Sequence, residues 1–292
     1  LDFRTITMIQ VVGQCVAIAL LVTLAYYWRS VWALAVANVI SSAATVAIGY
    51  ALLPRHRHRL ALDRDHAKSL IQFGRWILFS TLATYLGGEG LKAIQGGLLS
   101  PAEFGVLAIA YTIAGIPNDL VLKLSGSLGL PVLAETHLRA PQNAHAALHA
   151  LRVRTLGVSF FLYAGVMLLS EPLIRFLYDS RYHDAGYYLA ALSLANAVAS
   201  IGQGYASAIL AIGKAPAYFG AMSAAAILRV IGMVAGFYAN GILGMLYGIG
   251  AANFTLIAVI WILANRFQFL DVKLDFIFLG LIAAAWMVIV VL

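Results

Sequence analysis

The chain of 292 residues is 62% hydrophobic and 11% charged, with a formal net charge of +7 and a mean hydropathy of +0.90. A soluble domain has no use for that much apolar surface; recurring apolar runs of about 20 residues are membrane helices, and the short alternating segments of a β-barrel are absent. The positive charge lies between the apolar runs, where it sets orientation rather than binding nucleic acid, and Cys15, the single cysteine, excludes internal disulfides and multi-cysteine metal sites.

Nine candidate spans follow one another, at roughly 6–27, 31–53, 69–97, 102–133, 155–174, 187–212, 216–238, 241–265 and 274–292. Their connections alternate between long basic ones and short, nearly charge-balanced ones. Arg4, Arg55, Arg57, Arg59, Arg64, Lys68, Arg139, Arg152, Arg154, Lys214, Arg266 and Lys273 fall on one side, against Arg29, Arg175 and Arg181 on the other. The positive-inside rule then places residue 1 and the loops 54–68 and 134–154 in the cytoplasm. The chain begins at Leu1 and stops at Leu292 inside an apolar run, which reads as part of a longer protein.

The first hairpin, 6–53, leads into PRHRHRLALDRDHAK at 54–68, a basic linker between two bundles. His56 and His58 in it read as a solvated segment near anionic lipid rather than a metal site. The third span, within FGRWILFSTLATYLGGEGLKAIQGGLLSPAEFG at 73–105, is apolar yet carries Arg75, Glu89 and Lys92. Ionisable groups at the centre of a span cost about 3 kcal/mol each on insertion scales, so they turn toward a bundle interior or a wet cavity. At about 100° per residue, Arg75, Tyr85, Glu89 and Lys92 share roughly a 100° sector with Ile71, Leu78, Leu82 and Gly96. Glu89 and Lys92 are spaced to pair, and Gly87, Gly88 and Gly90 let a second backbone approach or the helix bend.

Ser100, Pro101 and Glu103 spell a capping box at the start of the fourth span. That span holds Pro117, Asn118, Asp119 and Lys123; Asp119 and Lys123 are four apart, in the favourable order for a helical pair. Residues 134–154 form a second basic connection, where His145 and His149 read as part of an interfacial helix because no further ligand accompanies them. The segment 171–186 is an outward loop, with Tyr178 and Tyr182 in the interfacial aromatic belt. Arg229 sits mid-span without an acidic residue within a turn, so it needs a partner or an anion from elsewhere. Gly244 and Gly248 form a GxxxG pair for close packing.

Phosphate loops, dinucleotide glycine patterns, HExxH and nucleophile elbows are missing from the sequence. The carboxylates assigned to the membrane interior, Glu89 and Asp119, each have a cation beside them. A glycan polymerase or ligase would hold its catalytic Arg or His in long outward loops, and the longest here is 171–186. The reading is a transporter, with no cofactor and no metal.

FGRWILFSTLATYL, then LLSPAEFGVLAIAYTIAGIP, LPVLAE and SEPLIRFLYDSRYHDAG, resemble in that order the polysaccharide and O-antigen flippases of the multidrug/oligosaccharidyl-lipid/polysaccharide exporter superfamily. The likeness runs along most of residues 1–270. It implies an all-α membrane bundle supplying nine helices of a 12–14-helix, two-bundle transporter. Residues 1–53 would be the last two helices of the first bundle, 54–68 the linker, 69–266 the six-helix second bundle and 267–292 the start of an extra hairpin. Many relatives carry an acidic–basic couple after the glycine-bearing part of the central helix; Lys92 matches the basic member, while the acidic position reads Leu91, with Glu89 two residues earlier.

The resemblance further implies movement of an undecaprenyl-diphosphate-linked oligosaccharide across the bacterial inner membrane by alternating access, for surface polysaccharide export. Membrane lipid and a polysaccharide polymerase or glycosyltransferases would be its partners. Arg75, Lys123 and Arg229 are the expected cavity cations, with Lys92 nearer the outer gate and Glu89 and Asp119 as coupling groups. Two other classes fit less closely: a cation-coupled drug antiporter of the same superfamily, and a structural membrane subunit without a transport cavity.

Overall fold

The computed structural model describes residues 3–28, 31–52, 64–124, 144–267 and 270–291. Apart from short turns these residues are helical, with no strand among them. The chain divides into two compact units, Leu1–Arg64 and Asp65–Leu292. The first is a hairpin of α1 (Phe3–Tyr27) and α2 (Val31–Leu52). Gly13 is seated against Thr45: a Cβ there would lie 2.7 Å from the threonine Oγ1.

The second unit opens with α3 (Arg64–Tyr85), a π turn (Leu86–Gly90) and α4 (Leu91–Leu98), which together form one long rod. The following helices are α5 (Pro101–Leu124), α6 (Ala144–Leu177), α7 (Ala185–Ala211), α8 (Ala215–Arg266) and α9 (Val272–Val291). Among the described residues, five helices are long and apolar enough to cross a membrane.

The turn between α4 and α5 is built as its sequence predicts. Ser100 N–H donates to Glu103 Oε2 at 2.8 Å, while Ser100 Oγ accepts from Glu103 N–H at 3.3 Å. Each residue thereby satisfies an amide left open at a helix start. The α7 C-terminus closes with Lys214 N–H on Ile209 O at 3.1 Å and Gly213 N–H on Leu210 O at 3.0 Å. That crossed pattern needs the left-handed residue Gly213, φ 75°.

α8 is two helices in one run. Asn240 and Gly241 (φ 58°) break it, and the two arms fold back on each other, matching the two spans expected at 216–238 and 241–265. A Cβ at Gly232 would lie 2.3 Å from Gly248 O, and one at Gly236 would lie 2.0 Å from Gly244 O. The expected Gly244–Gly248 pair is therefore half of a four-glycine seam in which backbone meets backbone.

Three boundaries differ from expectation. The linker 54–68 lies outside the described residues as far as 63, and 64–68 already belong to α3. The connection 134–154 lies outside them as far as 143; from 144 it is the first turns of α6, so His145, His149, Arg152 and Arg154 are on a spanning helix. The loop 171–186 is shorter than expected, because α6 runs through Pro172 to Leu177 and α7 starts at Ala185, with only a 3₁₀ turn at Ser180–Tyr182 between.

The packing centre is α7. It lies against α6, α8 and α5, and its small residues Ala191, Ala195, Ala197 and Ser193 are buried. Two apolar layers surround it: one around Leu107, Ile174, Leu189, Met233 and Met245, the other around Leu156, Tyr163, Ile201, Ile260 and Phe278.

Candidate functional site

The π turn carries LGGEG, so the three glycines and Glu89 occupy a widened stretch of helix. π turns recur at functional sites because the extra residue redirects side chains. Gly87 is buried against α8: a Cβ would lie 3.1 Å from Ala226 Cβ and 3.2 Å from its Cα. The close backbone approach expected of these glycines is made there.

From this turn a polar seam runs into the bundle. Lys92 Nζ donates to Glu89 Oε1 at 2.7 Å and lies 5.6 Å from the centroid of the Tyr111 ring. The Tyr111 hydroxyl accepts from Gln95 Nε2 at 2.8 Å, and that nitrogen is 3.6 Å from Met233 Sδ. Gln95 is fully buried, and its Oε1 has no partner among the described residues. Arg229 Nε donates to Asn253 Oδ1 at 2.8 Å, and Asn253 Nδ2 donates to the Ala195 carbonyl at 2.8 Å.

Of the six expected site residues, Glu89 and Lys92 thus sit beside Tyr111, and Arg229 lies one helical turn before Met233, so the seam joins the π turn, α4, α5 and both arms of α8. Arg229 has found a neutral partner rather than an acid. No hydrogen bond among the described residues occupies its two terminal nitrogens, so a half-buried cation retains its forked donors. Arg75 is exposed, with its guanidinium carbon 5.4 Å from the Trp76 ring centroid. Fourteen residues before Glu89, it lies about 20 Å away along the rod. Asp119 and Lys123 are exposed on α5, with Lys123 about 18 Å beyond Tyr111.

Tyr111, Gln95 and Asn253 escaped the sequence reading. Gln95 lies one turn beyond Lys92, a polar side chain in an apolar run, and that was a usable signal. Asn253 was visible as an intramembrane amide in NFT.

A second polar cluster corrects two further expectations. Arg152, counted with the solvated basic loop, is 1% exposed, and Asp275, not counted among the intramembrane carboxylates, is 0% exposed. They form a salt bridge through Arg152 Nη2 and Asp275 Oδ1. The Tyr205 hydroxyl accepts from Arg152 Nη1 at 2.7 Å and from the Asp271 N–H at 3.0 Å, and donates to Asp275 Oδ2 at 2.9 Å. Trp261 Nε1 donates to the same Oδ2 at 2.8 Å, and the Arg152 guanidinium carbon stacks 3.7 Å from the Tyr205 centroid. One carboxylate thereby ties α6, α7, α8 and α9 together.

His149 extends this cluster outward, with Nδ1 2.5 Å from Asp271 Oδ2; no metal-ligand group forms among the described residues. Burial alone would raise the Asp271 carboxyl. The His149 hydrogen bond, the Leu274 N–H and the charges of His149 and Arg152 outweigh it, holding the carboxyl below its ordinary value. A depressed carboxyl stabilises the fold fully above the unfolded value near 4, and that contribution is lost as pH falls through the lower folded value. In detergent, the unfolding midpoint of the wild type should therefore drop below about pH 4, with a flatter acid limb in Asp271→Asn. Superimposable pH profiles would show that Asp271 carries none of the acid sensitivity.

Residues 1–186 match the model of a family described as polysaccharide biosynthesis protein. The teichuronic acid biosynthesis protein TuaB of Bacillus subtilis (strain 168) is 21% identical over 203 residues, covering 69% of this chain and 41% of that protein. Among solved structures, the lipid II flippase MurJ in an inward closed conformation superposes with a TM-score of 0.59 at 12% identity, over 96% of this chain and 59% of that one. The chain thus spans less than two thirds of the length of either, and the structural likeness shows a shared all-α fold. The chain belongs to the polysaccharide biosynthesis protein family.

Proposed function

We propose that the chain is the larger part of a flippase carrying an undecaprenyl-diphosphate-linked oligosaccharide from the inner to the outer leaflet of the bacterial cytoplasmic membrane by alternating access. The observation that carries this reading is Arg229, a cation half-buried in an apolar helix whose fork is anchored through Nε alone. A diphosphate offers planar, charge-dense acceptors to such a fork, and charge-assisted bonds replace the hydration both lose. Lys92 is the second cation of the site, held in reserve by Glu89. Arg75 and Lys123, about 20 Å along their helices, serve as earlier or later contacts on the same path, and Asp119 and Glu89 respond to the coupling ion or proton. The excess of basic residues between the spans on one side supports residue 1 and the segments 54–68 and 134–154 on the cytoplasmic side. A polymerase or glycosyltransferases would work beside it.

In cells that depend on this chain, Arg229→Ala should lower surface glycan by about 10- to 100-fold at unchanged protein level, the loss expected for one charge-assisted bond to phosphate. Arg229→Lys, which keeps the charge without the fork, should retain an intermediate level. Unchanged glycan in both Arg229→Ala and Lys123→Ala would defeat the assignment. A deletion strain that accumulates lipid-linked glycan separates a flippase from a drug antiporter or a structural subunit.

A further inference from the structure

Beside the π turn lies a hollow of about 430 Å³, lined by Thr81, Thr84, Tyr85, Gly88, Glu89 and Tyr218. Its volume is within the range of small-ligand sites, roughly 300–1,000 Å³. Its chemistry differs from that of the cationic seam. The Thr81 and Thr84 hydroxyls donate to the Ile77 and Ser80 carbonyls at 2.9 Å each, so toward the hollow they present acceptor lone pairs. Tyr85 and Tyr218 add two phenolic hydroxyls and two aromatic rings. Glu89 gives Oε1 to Lys92 and keeps Oε2 as an acceptor. No cation is among its lining residues, and the carboxylate at its wall repels phosphate.

We infer that this hollow is a subsite for a neutral sugar unit: acceptors, phenols and aromatic faces suit the hydroxyls and C–H faces of a pyranose and disfavour an anion. The inference rests on the flippase reading and assigns the two halves of its substrate to two neighbouring places. Lys92 stands at the boundary, 2.7 Å from the Glu89 carboxylate. A diphosphate drawing Lys92 toward Arg229 leaves Glu89 free to accept from the first sugar. Gly88 keeps a side chain off that wall, with open space where its Cβ would point.

The test uses the full chain in lipid nanodiscs and two probes: undecaprenyl diphosphate, and the same lipid bearing a single hexose. The wild type should bind the hexose-bearing lipid more tightly. Tyr218→Phe combined with Thr84→Val, which keeps shape and removes two hydroxyls, should weaken the hexose-bearing lipid roughly tenfold and move the bare lipid less than about twofold. Equal losses for both probes, or no loss for either, would overturn the subsite while leaving the flippase reading standing. A wild-type chain that binds neither lipid would overturn both. Tyr218→Phe alone is isosteric; its unchanged melting curve, with the selective loss retained, separates a binding role from a structural one.

Discussion

Asp275→Ala is expected to destabilise the protein by about 3–5 kcal/mol, because it strands a buried guanidinium without its counter-charge. The carboxylate answers three donors at once, from Arg152, Tyr205 and Trp261, on three different helices. Its loss leaves Arg152 at 1% exposure with the Tyr205 hydroxyl and ring as its remaining partners. An unfolding midpoint lower by roughly 10 °C in detergent is the corresponding signal. Arg152→Ala should cost less than the reverse, since it leaves a carboxylate that still accepts from Tyr205 and Trp261. The double replacement Arg152→Met with Asp275→Leu removes both charges and should recover most of the stability, as replacing whole buried ion pairs by apolar residues generally does. If Asp275→Ala unfolds where the wild type does, the four-helix tie is not what holds α9 to the bundle.

Why this cluster was invisible in the sequence follows from its reach. Arg152 and Asp275 are 123 positions apart, and each stands next to basic or polar neighbours that make it look like part of a solvated loop. Local periodicity reports which face of a helix is apolar; it says nothing of which distant helix brings a counter-charge. The spans, the Ser100–Glu103 turn and the Glu89–Lys92 pair were legible because their causes are local: run length, a capping pattern four residues long, and spacing on one helix. Arg229 stands between these cases. Its lack of a nearby acid was readable, and so was its need for a partner, but the partner proved to be the neutral amide of Asn253 on the returning arm. Gly87, Gly88 and Gly90 announced a close approach or a bend, and the structure shows the approach, as a π turn packed onto Ala226. A π turn has no sequence period of its own, so periodicity alone reads straight through it.

The hairpin of α8 places the site, and its glycine seam should be the least tolerant surface in the chain. A Cβ at Gly248 would sit 1.9 Å from Gly232 O, and backbone oxygen cannot rotate away as a side chain can. Reaching ordinary contact requires the arms to part by about 1.5 Å, which forfeits much of the dispersion along the seam. Overpacking of this kind typically costs about 1–3 kcal/mol, and the upper end applies where both neighbours are backbone. Gly248→Ala and Gly236→Ala should therefore each lose about 3 kcal/mol, despite alanine's better helix propensity of about 1 kcal/mol. Gly157→Ala in α6, with open space where its Cβ would point, should be neutral or slightly stabilising and serves as the control. The same displacement reaches the site, because Arg229 and Asn253 bridge the two arms one turn beyond the Gly232–Gly248 contact. At a temperature where Gly248→Ala remains folded, it should lose surface glycan nearly as fully as Arg229→Ala does. A Gly248→Ala protein that keeps both its melting point and its glycan would mean that the arms are held apart by more than the seam allows, and that the Arg229 fork is not positioned by it.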